Sequence, residues 1–375
     1  MRPRAILPVL MAVLLLAGGA VGLAQGHGGL QAWLWGLGAA LGFALHRAGF
    51  SFAGGFRALL GQGRSAAFRA QLLMLALLVA TMLPAVQAGT LLGAPARGIV
   101  FPAGVATLLG AFLFGIGMQL GGGCGSGTLY TAGGGSLRML LTLMWFVVGA
   151  TLAAWQAPAW TDLPALPATT LQDLVGPMPA VLGSLAVLGL AAMASLAIER
   201  RRHGVAVPRL PSTLAWGALV LAALNLATLF LAGRPWVITA AFPLWGSRAV
   251  EALGWDDPAF WPFWEDPTRA EAILRPLLAD RTTVMDLGLM AGAFLAAAVS
   301  HRFAPSLVLP WRHAAASVLG GLLLGVGAVV ASGCNISAYV AGIASGSLHG
   351  WLWIFPALAG NWLGMKLRPG FGLAG

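Results

Sequence analysis

Charge is what this chain has least of. Of its 375 residues, 9% are charged and 59% are hydrophobic, where a soluble domain carries about 25% charged residues. So few charges cannot cover a surface that faces water, and most of the exterior must face lipid. Cysteine is nearly absent: Cys124 and Cys334 are the only two. That excludes a disulfide framework and a zinc spacing, and it leaves no Cys-x-x-Cys pair for a membrane thiol oxidoreductase. The six histidines follow no metal-ligand pattern, and no Gly-x-x-x-x-Gly-Lys-Ser/Thr segment marks a nucleotide site. No metal, no cofactor and no enzymatic centre are expected. The net charge of +10 comes as single residues and one short run at the ends of apolar stretches. Without a basic stripe interleaved with aromatics, nucleic acid is excluded as a partner, and the lipid bilayer remains.

What the chain has in quantity is apolar runs. About 20 mostly apolar residues cross a bilayer as a helix. Uncharged spans lie near 29–46, 70–89, 98–120, 139–157, 177–198, 211–233, 284–300, 314–332 and 348–365. They predict an all-α polytopic membrane protein with about nine transmembrane helices. Asp286 stands at the start of the seventh. Before them, Arg2 and Arg4 precede the apolar run Ile6 to Ala24, followed by small residues. This signal-like pattern is also long enough to span, and residues 1–26 are expected to stay as a membrane anchor. With Glu199-Arg200-Arg201-Arg202 placed in the cytoplasm, alternation of the loops leaves six of the 21 basic residues outside: Arg97, Arg234, Arg248, Arg269, Arg275 and Arg281. That asymmetry fits a bacterial inner membrane with basic loops inside. Residues 251–283 then form a periplasmic loop, with a short helix near 267–279. Trp255, Trp261 and Trp264 are expected at the headgroup level.

Four glycine-rich stretches, near 49–62, 121–136, 234–250 and 333–347, are too short to cross. Non-helical backbone at membrane depth survives only inside protein or beside a wet cavity, so they read as re-entrant hairpins along an internal path. Two of them follow matching sequence. Residues 110–124 and 320–334 align without gaps at six of fifteen positions, both cysteines included. Each half reads span, hairpin, span, span, hairpin, span. This organisation gives a first transmembrane repeat at 29–157, a linker with one transmembrane helix at 158–210, and a second repeat at 211–368. The single linking helix inverts the second repeat. Inverted repeats place substrate sites near the midplane, on broken helices. Gly115, Gly117, Gly325 and Gly327 read as positions where helices approach closely.

The chemistry concentrates in the hairpins. Gly123-Cys124-Gly125-Ser126-Gly127-Thr128 and Gly333-Cys334-Asn335-Ile336-Ser337 each place a thiol before a short helix. Free N–H groups at a helix start favour an anion, and a thiol is a soft, weak donor. Gly123, Cys124, Ser126, Thr128, Gly333, Cys334, Asn335 and Ser337 therefore form a candidate site for a small sulfur-containing anion. Arg57 and Arg248 are candidates for attracting it. His46 and His349 read as polar groups at span ends.

These hairpins, the duplicated halves and the segment His46-Arg47-Ala48-Gly49-Phe50-Ser51-Phe52-Ala53-Gly54-Gly55-Phe56-Arg57 resemble the YeeE/YedE family of sulfur transport proteins, over roughly 29–366. The resemblance implies thiosulfate uptake across the bacterial inner membrane, with Cys124 and Cys334 as relay thiols. It also implies a cytosolic sulfur-carrier or rhodanese-type partner. The family's third cysteine falls at Ser51, which keeps a hydroxyl donor and loses the soft sulfur contact. A selenium species or another small anion stays open as cargo. A non-transporting membrane subunit is the competing reading. With Asp286 read as a residue at a span end, passage without proton coupling is expected.

Overall fold

The computed structural model describes residues 3–303, 305 and 308–374. Arg2 lies outside them, and the side chain of Arg4 is not described. Among the described residues nearly all regular structure is helical. In chain order the helices are α1 (Pro3–His27), α2 (Gly29–Ala48), α3 (Phe52–Gln62), α4 (Ala66–Ala88), α5 (Val105–Gly121), α6 (Gly125–Gly133), α7 (Leu137–Trp155), α8 (Pro158–Thr161) and α9 (Leu171–Val175). There follow α10 (Pro177–His203), α11 (Ser212–Ala232), α12 (Ala241–Ala252), α13 (Pro262–Glu265), α14 (Pro267–Leu274), α15 (Arg281–Val299) and α16 (Trp311–Val330). A π-helical turn (Asn335–Val340), α17 (Ala341–Ala344) and α18 (Leu348–Leu367) complete the set.

Eight segments among the described residues are long and apolar enough to cross a membrane, from Ile6–His27 to Trp311–Ala344. α2 and α18, each of 20 residues, stand beside them with a more polar composition. Each of the nine predicted spans falls on one long helix, and α1 adds the N-terminal segment. The chain is an all-α polytopic membrane protein.

The predicted span at 98–120 starts late, at Val105. Its first residues are drawn into extended structure instead. The Ile99 N–H donates to Ser345 Oγ at 3.0 Å, and Ala103–Gly104 pairs antiparallel with Ala165–Leu166. The segment 251–283 also departs from expectation. Trp255 is exposed, but Trp261 and Trp264 are buried. Trp264 donates its indole N–H to Ser247 Oγ, and Phe263 packs edge-on against it. These rings serve as a small core under the loop. The expected helix near 267–279 is present as α14 and a 3-10 turn at Leu277–Ala279.

Lipid is as apolar as leucine, so helices in a bilayer associate through close packing and hydrogen bonds, not through a hydrophobic gain. Glycine supplies the close packing here. α5 lies against α16 with backbones touching: an ideal Cβ on Gly327 would stand 2.6 Å from the Gly110 carbonyl, and one on Gly117 would stand 2.7 Å from Leu324 N. Gly115 meets Ala357 and Gly360 of α18, while Gly325 meets Phe146 and Gly149 of α7. A second seam joins α2 to α15, where Gly38 and Gly42 face Met285 and Leu289, and Gly288 and Gly292 face Trp35 and Ala39. α4 packs on α11, α3 on α18, and α12 on α7. α1 covers part of α2 and α15, and Trp35 of α2 donates its indole N–H to the Leu16 carbonyl. α10 packs against α4. At one end Arg69 donates to the carbonyls of Val207 and Pro208, and Ser65 donates to Glu199.

Gly327→Leu is expected to lower stability by about 1–3 kcal/mol, the usual cost of overpacking, seen as a lower melting temperature of the detergent-purified protein. Gly183→Ala on α10, where a Cβ meets nothing within 4 Å, is expected to leave the melting temperature unchanged.

Candidate functional site

α5 and α16 each end in a turn that delivers a cysteine, and the two turns share their backbone geometry. Cys124 precedes α6 at φ −87°, ψ −168°, and Cys334 precedes its π-helical turn at φ −105°, ψ −168°. The Cys124 carbonyl accepts from Thr128 N at 2.8 Å, and the Cys334 carbonyl accepts from Ala338 N at 2.7 Å. The preceding glycines are required sterically. A Cβ on Gly123 would lie 2.9 Å from Thr128 N, and one on Gly333 would lie 2.8 Å from Ala338 N. Gly333 also sits at φ +143°, a conformation that L side chains rarely adopt.

Neither helix start carries a side-chain cap. The first-turn N–H groups of a helix have no partner within the helix, and at α6 the Gly127 backbone lies in hydrogen-bonding reach of the Cys124 thiol. Around them stands a set of short polar side chains. Cys124 Sγ is 3.3 Å from Ser126 Oγ, and Cys334 Sγ is 3.7 Å from Ser337 Oγ. Both thiols are free and buried. The two sites adjoin: an ideal Cβ on Gly125 would stand 3.2 Å from Cys334 Sγ and 3.3 Å from Ile238 and Thr239 side chains. The irregular segment before α12 reaches this point, and Ile238 N donates to Ser337 Oγ at 3.2 Å.

Buried polar side chains are normally hydrogen-bonded. Here Thr128 Oγ1 and both polar atoms of the Asn335 side chain are buried without a partner. Asp286 of α15 is fully buried as well, with neither carboxyl oxygen bonded, and it lies within electrostatic reach of Cys334. Unpartnered donors and acceptors thus stand beside both thiols.

Ser51 is the third residue of this kind, at the start of α3. Its Oγ accepts from Gly54 N at 3.0 Å, and its carbonyl accepts from Gln71 Nε2 at 3.1 Å. Tyr130 of α6 connects it to the cysteines, with its hydroxyl beside Ser51 and Thr131 and within reach of Cys124. Tyr130 also lines a cavity of about 410 Å³, whose wall includes His46, Thr131, Ser136, Arg138 and Arg302. This cavity lies at the end of the molecule where α6 closes, with Gly134 beside the His46 ring. At the opposite end a narrow crevice of about 10 Å³ is lined by Arg234, Arg281 and Thr282.

The candidate arginines divide differently from the sequence reading. Arg248 is committed elsewhere: it pairs with Glu251 at 2.7 Å and donates to the Arg275 carbonyl. Arg57 is half-buried and stands in electrostatic reach of Arg138 and Arg368. Those two donate to the Leu120 and Gln119 carbonyls at the end of α5. The arginines that line cavities, Arg138, Arg302, Arg234 and Arg281, were not singled out by sequence reasoning. Nor were Tyr130 and Asp286 as neighbours of the thiols. A tyrosine six residues after a Gly-Cys turn, in a chain with two tyrosines, was the available signal. His349 is buried, with Nε2 at 2.8 Å from the Ala331 carbonyl, and His46 faces the larger cavity.

The chain is similar in sequence to known transport proteins. The family model described as sulphur transport matches residues 47–363. The thiosulfate transporter TsuA of Escherichia coli is 27% identical over 349 residues, covering 87% of this chain and 91% of that protein. The thiosulfate transporter TsuA of Spirochaeta thermophila is 26% identical over 277 residues, 69% of this chain and 76% of that protein. The probable transporter YedE of Escherichia coli is 27% identical over 149 residues, 39% of this chain, and the match spans 36% of that protein's length. A match over most of the chain, carrying the Gly-Cys turns of both halves, means that this protein belongs to the sulphur transport family.

Proposed function

We propose that the protein takes up thiosulfate, or a closely related sulfur anion, through a path on which Cys334 and Cys124 are successive contacts. The observation that carries this reading is the pair of adjacent Gly-Cys turns with unpartnered Thr128 and Asn335 beside them. An oxyanion offers acceptors to free N–H groups and hydroxyls, and its terminal sulfur offers a soft acceptor to S–H donors. The relatives named as thiosulfate transporters support the same substrate.

The short helices α3, α6, α12 and the 335–344 segment are read as re-entrant hairpins. The packing supports an inverted duplication of 29–157 as 211–368. α2 on α15 answers α4 on α11, α7 on α16 answers α18 on α5, and α12 on α7 answers α3 on α18. The helix α10 in the linker 158–210 supplies the odd crossing. With the inner membrane and cytoplasmic basic loops assigned as in the sequence reading, the Arg234–Arg281 crevice faces the periplasm. The cavity with Arg138 and Arg302 faces the cytoplasm. The anion enters past the first pair, meets Cys334 and Asn335, then Cys124, Ser126 and Thr128, and leaves beside Ser51 and Tyr130. Successive sites must attract enough to admit the ion and hold weakly enough to release it. Ser51 keeps a hydroxyl at the last position, already engaged by Gly54 N. The wide cavity is also where a cytosolic sulfur-carrier or rhodanese-type protein would receive the cargo.

Losing a hydrogen bond to a charged ligand costs about 1.5–3 kcal/mol, roughly tenfold to a hundredfold in affinity. Cys124→Ala and Cys334→Ala are each expected to cut uptake of labelled thiosulfate by at least about tenfold at unchanged membrane abundance. Wild-type uptake equal to that of an empty membrane would favour a non-transporting subunit instead. Asn335→Leu separates function from folding. Removing buried, unpartnered polar atoms is expected to leave stability unchanged or raise it by about 1–3 kcal/mol, while uptake falls. A stable variant with full uptake would remove Asn335 from the site.

A further inference from the structure

One ionisable side chain beside the thiols has no part in the path described above. Asp286 lies in the second turn of α15, fully buried, with both carboxyl oxygens unpartnered. A bare carboxylate is costly in such surroundings unless it is paired or hydrogen-bonded. Among the described residues no counter-charge bears on it. The groups that face Asp286 are Asp280, which caps its own helix, and Cys334 across from it. α2 runs along α15 and presents Trp35, Gly38 and Gly42 there. α6 turns Tyr130 towards Ser51 and Thr131. On α12, Arg248 is paired with Glu251, and on α1, His27 is exposed at the helix end. Arg234 donates to Thr282 and stands near Asp280, while Arg281 donates to the Ala232 carbonyl.

An anion arriving at Cys334 brings further negative charge into reach of this carboxyl. A like charge nearby disfavours ionisation, so the anion and the proton favour each other's presence. Such coupling is reciprocal: the protonated acid admits the anion, and the anion holds the proton. The carboxyl lies in reach of Cys334, next in sequence to Met285 of the narrow Arg234–Arg281 crevice. Ionisation of so buried a carboxyl needs water or a counter-charge beside it.

We propose that Asp286 carries a proton inward with the sulfur anion, so that the protein is a proton-coupled symporter. External water protonates the carboxylate, the neutral acid accompanies the anion through the closed state, and internal water takes the proton back. No bond other than O–H forms or breaks. Asp286 read as a span-end residue suits passage without coupling. Its burial beside Cys334 argues the opposite. The proposal rests on the thiosulfate-uptake reading above.

The test uses the full chain in proteoliposomes containing a pH dye, with the membrane potential clamped by potassium and valinomycin. A thiosulfate gradient applied to the wild type is expected to acidify the interior as label enters. Entry without acidification overturns symport. Absence of entry overturns the transport reading itself, and symport with it. Asp286→Asn is expected to let label equilibrate with no acidification, and an imposed inward proton gradient should no longer concentrate thiosulfate. Acidification at the wild-type rate in this variant removes Asp286 from the role. If Asp286→Asn blocks net entry, exchange of internal for external thiosulfate at equal pH decides. Retained exchange supports coupling at Asp286, and lost exchange in a monodisperse protein overturns it.

Discussion

The backbone contact between α5 and α16 governs the rest of the molecule. Both helices run directly into a Gly-Cys turn, so the register between them sets where the two thiols stand. Gly110, Gly117, Gly320 and Gly327 allow that contact because no side chain intervenes. The opposite glycines, Gly115 and Gly325, then seat α18 and α7, the long helices that follow the two cysteine turns. Each cysteine turn is therefore held between the helix before it and a helix packed on the same seam. In lipid, where apolar burial gives no net drive to association, a seam of this kind supplies the precision that a soluble protein would draw from its core.

A rigid frame allows the site to remain unsatisfied. Ser51 caps α3, and Ser136 caps α7, but the two starts that carry cysteine have no side-chain cap. Close by, Thr128, Asn335 and Asp286 leave buried polar atoms without partners. Each such atom costs about 1–3 kcal/mol. Local rules are broken in this way at functional sites, where surrounding structure compensates. The same three side chains at the outer surface would be solvated and would signify nothing.

The spans were legible because length and absence of charge suffice to identify a membrane helix. The cysteine turns were legible because they occur twice, with Gly123 and Gly333 serving one steric purpose. What could not be read was anything decided by contacts between distant segments. Trp261 and Trp264 carry the composition of an interfacial belt, yet both are buried, Trp264 against Ser247 and the neighbouring Phe263. Arg248 looks free until Glu251 and the Arg275 carbonyl are placed beside it. The second glycine seam, between α2 and α15, lies more than 240 positions apart in sequence, so Gly38 and Gly288 gave no sign of meeting. Asp286 stands at the edge of an apolar run, and only the packing of α15 against α2 and α6 reveals its depth.

Charge distribution bears on direction. All three salt bridges among the described residues lie between Arg248 and Arg275. Near the larger cavity, Arg138 and Arg368 are held by backbone carbonyls, so their full charges remain uncompensated by acids. A mouth lined by uncompensated arginine focuses a positive potential and raises the local concentration of anions. In the orientation proposed above, which puts that mouth on the cytoplasmic side, the field would stabilise anions that have already arrived and slow their departure. Attraction at the exit cannot by itself sustain net uptake against an accumulated anion. A removing reaction, or a second ion moving downhill with the cargo, has to supply the direction, and an unpaired acid beside Cys334 is a physical means for the second.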